Sequence, residues 1–308
     1  MQVSQDLAII LRKIRYEDRH LIVTALTENH GVLTAMARNA IQSRRFGPAL
    51  ELFAASTWQF SEKNQGHHED RPLHFLKEAL PRRTFEGIRS DFSRLSVASA
   101  VNEIVLRAAH SGEKSGELFK LYSNTLAAIE EMDADRNDAL LLDLFLLRIL
   151  YWFGCQPQLD HCETCKKTLS EFNRDEKASP LIAQAGWICE QCREVATGHL
   201  RKENFSFSQH RLERFSLEAL AELALTRTFP IRKAFETLSK SPTPTAKTEH
   251  QKLFGYLFAV LTYHVPGFDR TPLKSLRFLD LQGSDSGSTA QPAIGSPPQN
   301  APLPLDSF

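Results

Sequence analysis

The strongest constraint on this chain is a doubled cysteine spacing. Cys162-Glu163-Thr164-Cys165 and Cys189-Glu190-Gln191-Cys192 are two C-x-x-C pairs with 23 residues between them. A two-residue spacer lets a tight turn aim both thiolates at one point. Two such turns brought together give the four-sulfur tetrahedron that Zn²⁺ accepts, with no position left open for a reacting water. The spacing therefore predicts a structural zinc site of Cys162, Cys165, Cys189 and Cys192, carried by a module at about 155–200. A redox pair would need a helix N-terminus in a thioredoxin-like βαβ setting, which the surrounding pattern does not offer. The fifth cysteine, Cys155, ends an apolar stretch and reads as a packed thiol, and His161 is superfluous to a complete set. Disulfides are not expected, because nothing near Met1 resembles an export signal.

The rest of the chain must supply a frame for that module. At 308 residues two domains are expected. Lysine plus arginine and aspartate plus glutamate both count 37, so any polyanion binding must come from a local patch. The most apolar run, Ala139 to Phe153, is short and holds Asp143 and Arg148, so it reads as a buried helix and not as a membrane span. A cytoplasmic protein is expected.

Residues 1–80 read as strands. Leu7 to Leu11, Leu21 to Leu26, Val32 to Ala37, Leu50 to Phe60 and Leu73 to Leu76 are the candidates, with a turn at Asn29-His30-Gly31. Five short strands suit a small closed barrel, since closure removes exposed edges. An OB-fold is the commonest such barrel, with an SH3-like barrel the alternative; periodicity does not separate them.

From Pro81 the apolar period becomes helical. Phe85 to Ala108, Leu118 to Ile129 and Asp138 to Phe153 are helices, the last apolar nearly all round. Ser208 is a candidate cap for a helix through Leu223, and Thr245 to His264 forms another. The expected fold class is α+β: a five-stranded barrel over 1–80, then a helical domain over 81–281 with the embedded zinc module. Residues 282–308, with prolines at 292, 297, 298, 302 and 304, read as a disordered tail.

Between Ala8 and Phe46 the charge is biased. Arg12, Lys13, Arg15, Arg19, Arg38, Arg44 and Arg45 face only Glu17, Asp18 and Glu28. Cations at strand ends and in the 39–48 loop of a barrel can follow a phosphate backbone. Among the aromatics, Trp58 and Phe60 read as core, and Phe46, after Arg44-Arg45, as the exposed stacking residue.

No catalytic residues are expected. His67-His68-Glu69 and His161-Cys162-Glu163 match H-x-E by letter, but neither cysteine pair follows a proline, as a zinc deaminase requires. Gly112-Glu113-Lys114-Ser115 is not a phosphate-binding loop.

Several segments together resemble the bacterial RecO recombination-mediator family. They are Leu7-Ala8-Ile9-Ile10-Leu11-Arg12, Tyr16-Glu17-Asp18, Leu26 to Gly31, Ala37-Arg38-Asn39-Ala40, Ser43 to Leu50, the paired cysteines, and Gly267 with Leu273 to Leu279. The resemblance runs in order over roughly 1–280. It implies an N-terminal OB-fold and a helical domain bearing zinc. It further implies binding of single- and double-stranded DNA, annealing of complementary strands, and help in loading RecA onto gaps coated by single-strand binding protein. RecR and the tail of single-strand binding protein are the implied partners, with no membrane. Asn39-Ala40-Ile41-Gln42 lacks the family's usual basic run, which shifts weight toward Arg270, Lys274 and Arg277. The alternative is a zinc-stabilised adaptor that binds only protein. The final Asp306-Ser307-Phe308 is similar to the tip of single-strand binding protein, which suggests a tail that occupies its own chain's pocket for that tip.

Overall fold

The computed structural model describes residues 3–43, 45–61, 73–109, 115–132, 138–173, 175–199, 213–241, 245–268 and 273–279. The chain begins with β1 (Val3–Tyr16), β2 (His20–Thr27), β3 (Gly31–Ala37), β4 (Ala55–Ser61) and β5 (Leu73–Arg83). They close into a barrel in the order β1-β2-β3-β5-β4, with β1 pairing both β2 and β4. All pairs are antiparallel except β3 with β5. That parallel contact makes a Greek-key barrel of OB type instead of a plain meander, which decides between the two barrels the sequence left open.

β1 is long because it serves two neighbours. Its register against β2 shifts between Ile10 and Arg12, so Leu11 is a bulge that bends the strand. Before the bulge, Ala8 and Ile10 point into the barrel while Ile9 packs into the helical core, as does Leu11 at the bulge itself. Burial on both faces is why this stretch reads as a continuous apolar run and not as an alternation. β5 runs past Leu76 to Arg83; Pro81 is tolerated beside a register shift against β4, where the ladder is already broken.

The barrel interior is lined by small residues, among them Ala8, Ala25, Ala35 and Ala37. Bulk comes from Trp58 and Phe60 on β4, as expected, and from a plug. That plug is the segment after β3: Phe46, Ala49 and Leu50 fill the mouth around a 3-10 turn at Gly47–Leu50. Phe46 is therefore core, only 2% exposed, and not the surface platform expected from its loop position. An alanine-lined cavity needs a large side chain from outside the sheet, and Phe46 supplies it.

The body comprises α1 (Glu86–Arg89), α2 (Phe92–Ala108), α3 (Gly116–Glu131), α4 (Asp138–Trp152), β6 (Lys177–Leu181), β7 (Gly186–Cys189), α5 (Glu190–His199), β8 (Phe215–Ser216), α6 (Leu217–Thr226), α7 (Ile231–Ser239) and α8 (Lys247–His264). α4 is central and buried nearly all round. α6 starts at Leu217, where Ser216 Oγ accepts from the Ala219 N–H; Ser208, the expected cap, lies outside the described residues. The same holds for the 282–308 tail, Arg44 and Arg270.

Barrel and body share a core. Ile9, Leu11, Leu26 and Phe53 belong to the same apolar cluster as α2, α3 and α4. Asn102 Nδ2 on α2 donates to Leu11 O, and Ser115 Oγ at the start of α3 donates to Thr27 O. Arg83 closes the seam with a 2.7 Å ion pair to Glu130.

One buried ionic cluster crosses the body. His250 on α8 contacts Asp143 on α4 through Nδ1 at 2.9 Å and Glu222 on α6 through Nε2 at 3.3 Å. Burial disfavours the imidazolium, but the two carboxylates outweigh it and push His250 up to about 9. Burial likewise pushes Asp143 up, to about 7. Arg148, one turn along α4 from Leu144, donates to Thr226 O and Phe229 O and so caps the end of α6.

Candidate metal centre and nucleic-acid interface

The two cysteine pairs are held by different devices. Cys162 and Cys165 sit on a loop that folds back on itself. Lys166 N–H donates to Cys162 O, Cys162 N–H donates to Lys167 O, and Lys166 takes a left-handed φ of 60°. Cys189 ends β7 and Cys192 lies in the first turn of α5. Glu163 N–H donates to Trp187 O, and Trp187 Nε1 to Leu159 O, which dock the loop on β7. Gly186 leaves room here for the Glu163 side chain, because an added Cβ would meet its Cγ at 2.7 Å. β6 joins β7 to the short β8, so the module has a three-stranded sheet that the cysteine spacing does not announce.

The four sulfurs lie within 4.8 Å of one another, with Cys165 and Cys189 Sγ 3.9 Å apart. Tetrahedral thiolates about 2.3 Å from one zinc ion stand roughly 3.8 Å apart, so the set matches a single ion. Cys162 is fully buried and Cys165 exposed. Burial raises the Cys162 thiol, but N–H donors of Cys165, Cys189 and Thr164 outweigh it and lower it to about 7. Burial and the neighbouring sulfurs push Cys192 well up. Four thiols this close resist shared ionisation, and a divalent cation removes that conflict. Cys155 stands outside the cluster, half-buried against the body core.

The barrel cations divide by register. Beyond the Leu11 bulge, Arg12, Ile14 and Tyr16 pair with Thr24, Ile22 and His20 on the outward face. Lys13 and Arg15 pair with Val23 and Leu21 and project to the opposite side, where Lys13 meets Glu51 at 2.6 Å. Arg19 is exposed in the turn between β1 and β2. Arg38 ends β3 with its guanidinium 4.6 Å from the Phe75 ring centre, and Arg45 lies 5.5 Å from that of Phe46. Lys274 and Arg277 sit on a 3-10 turn, Lys274–Phe278, docked on α2 through Glu103, which accepts from Lys274 N and Ser275 N. They stand on the body, one residue of α2 from the Asn102 clasp.

Asp6 was not singled out in the sequence. Its buried carboxylate accepts from Asn29 N, Asn29 Nδ2 and Leu7 N and contacts His30 Nδ1 at 2.6 Å, which pins the β2–β3 turn to β1. Tyr16, Met36 and Phe75 were also missed; only strand register shows that they share a face.

A closed OB-type barrel fused to a helical body with a four-cysteine cluster defines the architectural class of the chain, a small all-β head on a metal-ready helical body. Residues 1–78 match the model "Recombination protein O N terminal" and residues 89–239 match "Recombination protein O C terminal". The chain belongs to the RecO family of DNA repair proteins. It is 33% identical to the DNA repair protein RecO of Desulfatibacillum aliphaticivorans, over 60% of this chain and 69% of that one. To its counterpart from Syntrophus aciditrophicus it is 35% identical, over 59% and 67%. To that of Pelobacter propionicus it is 31% identical, over 63% and 72%. Among the described residues, no helix is long and apolar enough to cross a membrane.

Proposed function

We propose that this protein binds single- and double-stranded DNA through the barrel, anneals complementary strands and, with RecR, helps load RecA onto gaps coated by single-strand binding protein. What carries the reading is the set of arginines on an OB-type barrel in a chain of the RecO family. Arg12, Lys13, Arg15, Arg19, Arg38, Arg44 and Arg45 are the proposed phosphate contacts, with Lys274 and Arg277 extending the path onto the body. Cations neutralise phosphate repulsion between strands without reading sequence, and this is the physical requirement for annealing. No bond is made or broken, so no catalytic group is assigned.

Zn²⁺ is the proposed metal, held by Cys162, Cys165, Cys189 and Cys192. An all-thiolate set of this size favours it, and its work is to fasten the loop, β7 and α5 into one module.

Annealing of labelled complementary oligonucleotides by the metal-loaded protein tests the reading. Hybridisation is expected to run well above the rate in buffer and to weaken steeply with salt. An unchanged rate, together with no salt-sensitive gel shift, would leave a zinc-stabilised protein adaptor as the correct account.

A further inference from the structure

Four strands of the barrel carry one outward row. Ile14 pairs with Ile22, Ile22 with Met36, and Met36 with Phe75, so all four side chains share a face. The next position out on β1 is Tyr16. Ile14 is 42% exposed and Tyr16 43%, while Met36 and Phe75 are half-buried. At the other end of the same strands, the equivalent outward residues Leu26 and Val32 pack into the body core. The row is thus the uncovered half of a face whose other half is buried.

The surroundings say what covers it. Arg38 follows Ala37 on β3 and lies over the Phe75 ring. Arg12 is on the same face, beside Thr24 and Thr34, whose hydroxyls hydrogen-bond to each other at 3.2 Å. An apolar helix would have to desolvate these guanidinium groups without compensation. A duplex presents phosphates and groove edges but no flat apolar surface. Unpaired bases on a phosphate chain match both halves of the site, with their faces on the row and their phosphates on the arginines.

We propose that Ile14, Tyr16, Ile22 and Met36, with Phe75 under the Arg38 guanidinium plane, form a base-stacking platform, which makes the barrel prefer unpaired DNA to duplex. The inference rests on the DNA-binding reading above and deepens it. Contact through base faces leaves the hydrogen-bonding edges turned outward, so a held strand can pair with its complement. Once paired, its bases stack on one another, the platform contact is lost, and the duplex is retained by charge alone.

The test measures binding of a labelled oligo-dT and of a duplex of equal length, at one salt concentration, by the metal-loaded full chain. Tyr16→Ser and Phe75→Ala are each expected to weaken single-strand binding roughly tenfold while duplex binding changes less than about twofold. Phe75→Trp is expected to retain single-strand binding. Tyr16 is exposed, so its variant keeps the test sound if Phe75→Ala loosens the barrel. Equal losses on both substrates, or no loss on either, would overturn the platform. Arg12→Ala and Arg38→Ala separate the two ideas. If they weaken both substrates while Tyr16→Ser weakens neither, the platform fails and the DNA reading stands; if the unaltered chain itself binds neither substrate in a salt-sensitive way, the DNA reading fails as well.

Discussion

The metal centre and the barrel face are built in opposite ways. The cysteine cluster gathers its four groups from one folded-back loop and one strand-to-helix junction, buries two of them and leaves no open position. The barrel face spreads its groups over four strands, leaves them half-buried or exposed and is defined only by register. The first arrangement makes a fastener, whose loss is felt by the fold. The second makes a contact surface, whose loss is felt by a ligand. Substitutions at the two sites are therefore expected to separate stability from DNA binding.

Metal removal gives the largest effect. Binding free energy at a structural thiolate site is folding free energy, on the order of 10 kcal/mol in isolated zinc modules. Chelation, or Cys162→Ser, is expected to release one equivalent of metal and to lower the melting temperature by more than any barrel substitution. Fluorescence of Trp187, buried beside the cluster, is the local reporter. A melting curve insensitive to chelator would make the cluster ornamental.

His250→Ala comes next, at about 3–5 kcal/mol, because it strands Asp143 as an unpaired buried carboxylate. The intact cluster also has a pH signature. His250 has a folded value near 9 against 6.5 when free, so its stabilisation is complete below about pH 6.5 and is lost as pH rises toward 9. The raised value of Asp143 acts in the same direction. Unfolding midpoints are expected to fall between pH 7 and 9 in the native chain, and less so in His250→Gln. A native midpoint flat across that range would refute the charged imidazole.

Asp6→Ala removes the anchor of the β2–β3 turn and is expected to cost about 2–3 kcal/mol, as charged hydrogen-bond acceptors do. Denaturant titration checks it, and a loss below about 0.5 kcal/mol would show that the turn holds itself. The smallest effect belongs to single arginines. Arg12→Ala should leave stability unchanged within about 0.5 kcal/mol and reduce the slope of log affinity against log salt by about one. An unchanged slope would remove Arg12 from the phosphate path.

What could be read from the sequence follows the same divide. The cysteine set was legible because its geometry is fixed by two-residue spacers. β2 and β3 were legible from their Leu, Ile, Val and Thr content and the Asn29-His30-Gly31 turn between them, and α4 from its all-round hydrophobicity. Strand order was not, since the β3–β5 contact joins residues nearly forty positions apart. Phe46 was misplaced because a polar loop gives no sign that it plugs an alanine-lined barrel. The row from Ile14 to Phe75 was invisible for a related reason: the Leu11 bulge resets which β1 residues point outward, and bulges leave little trace in periodicity. At α6 the described helix begins at Leu217, with Ser216, the last residue of β8, as its cap, and a short strand just before a helix leaves little trace in the apolar period.

The seam between head and body has a mechanical consequence. Leu11 supplies the bulge, a place in the common core and the carbonyl held by Asn102. The head is consequently not a bead swinging on a tether. If a strand binds there as proposed, it would keep a constant bearing relative to the helices behind, and a second protein docking on those helices would always meet the cargo from the same side.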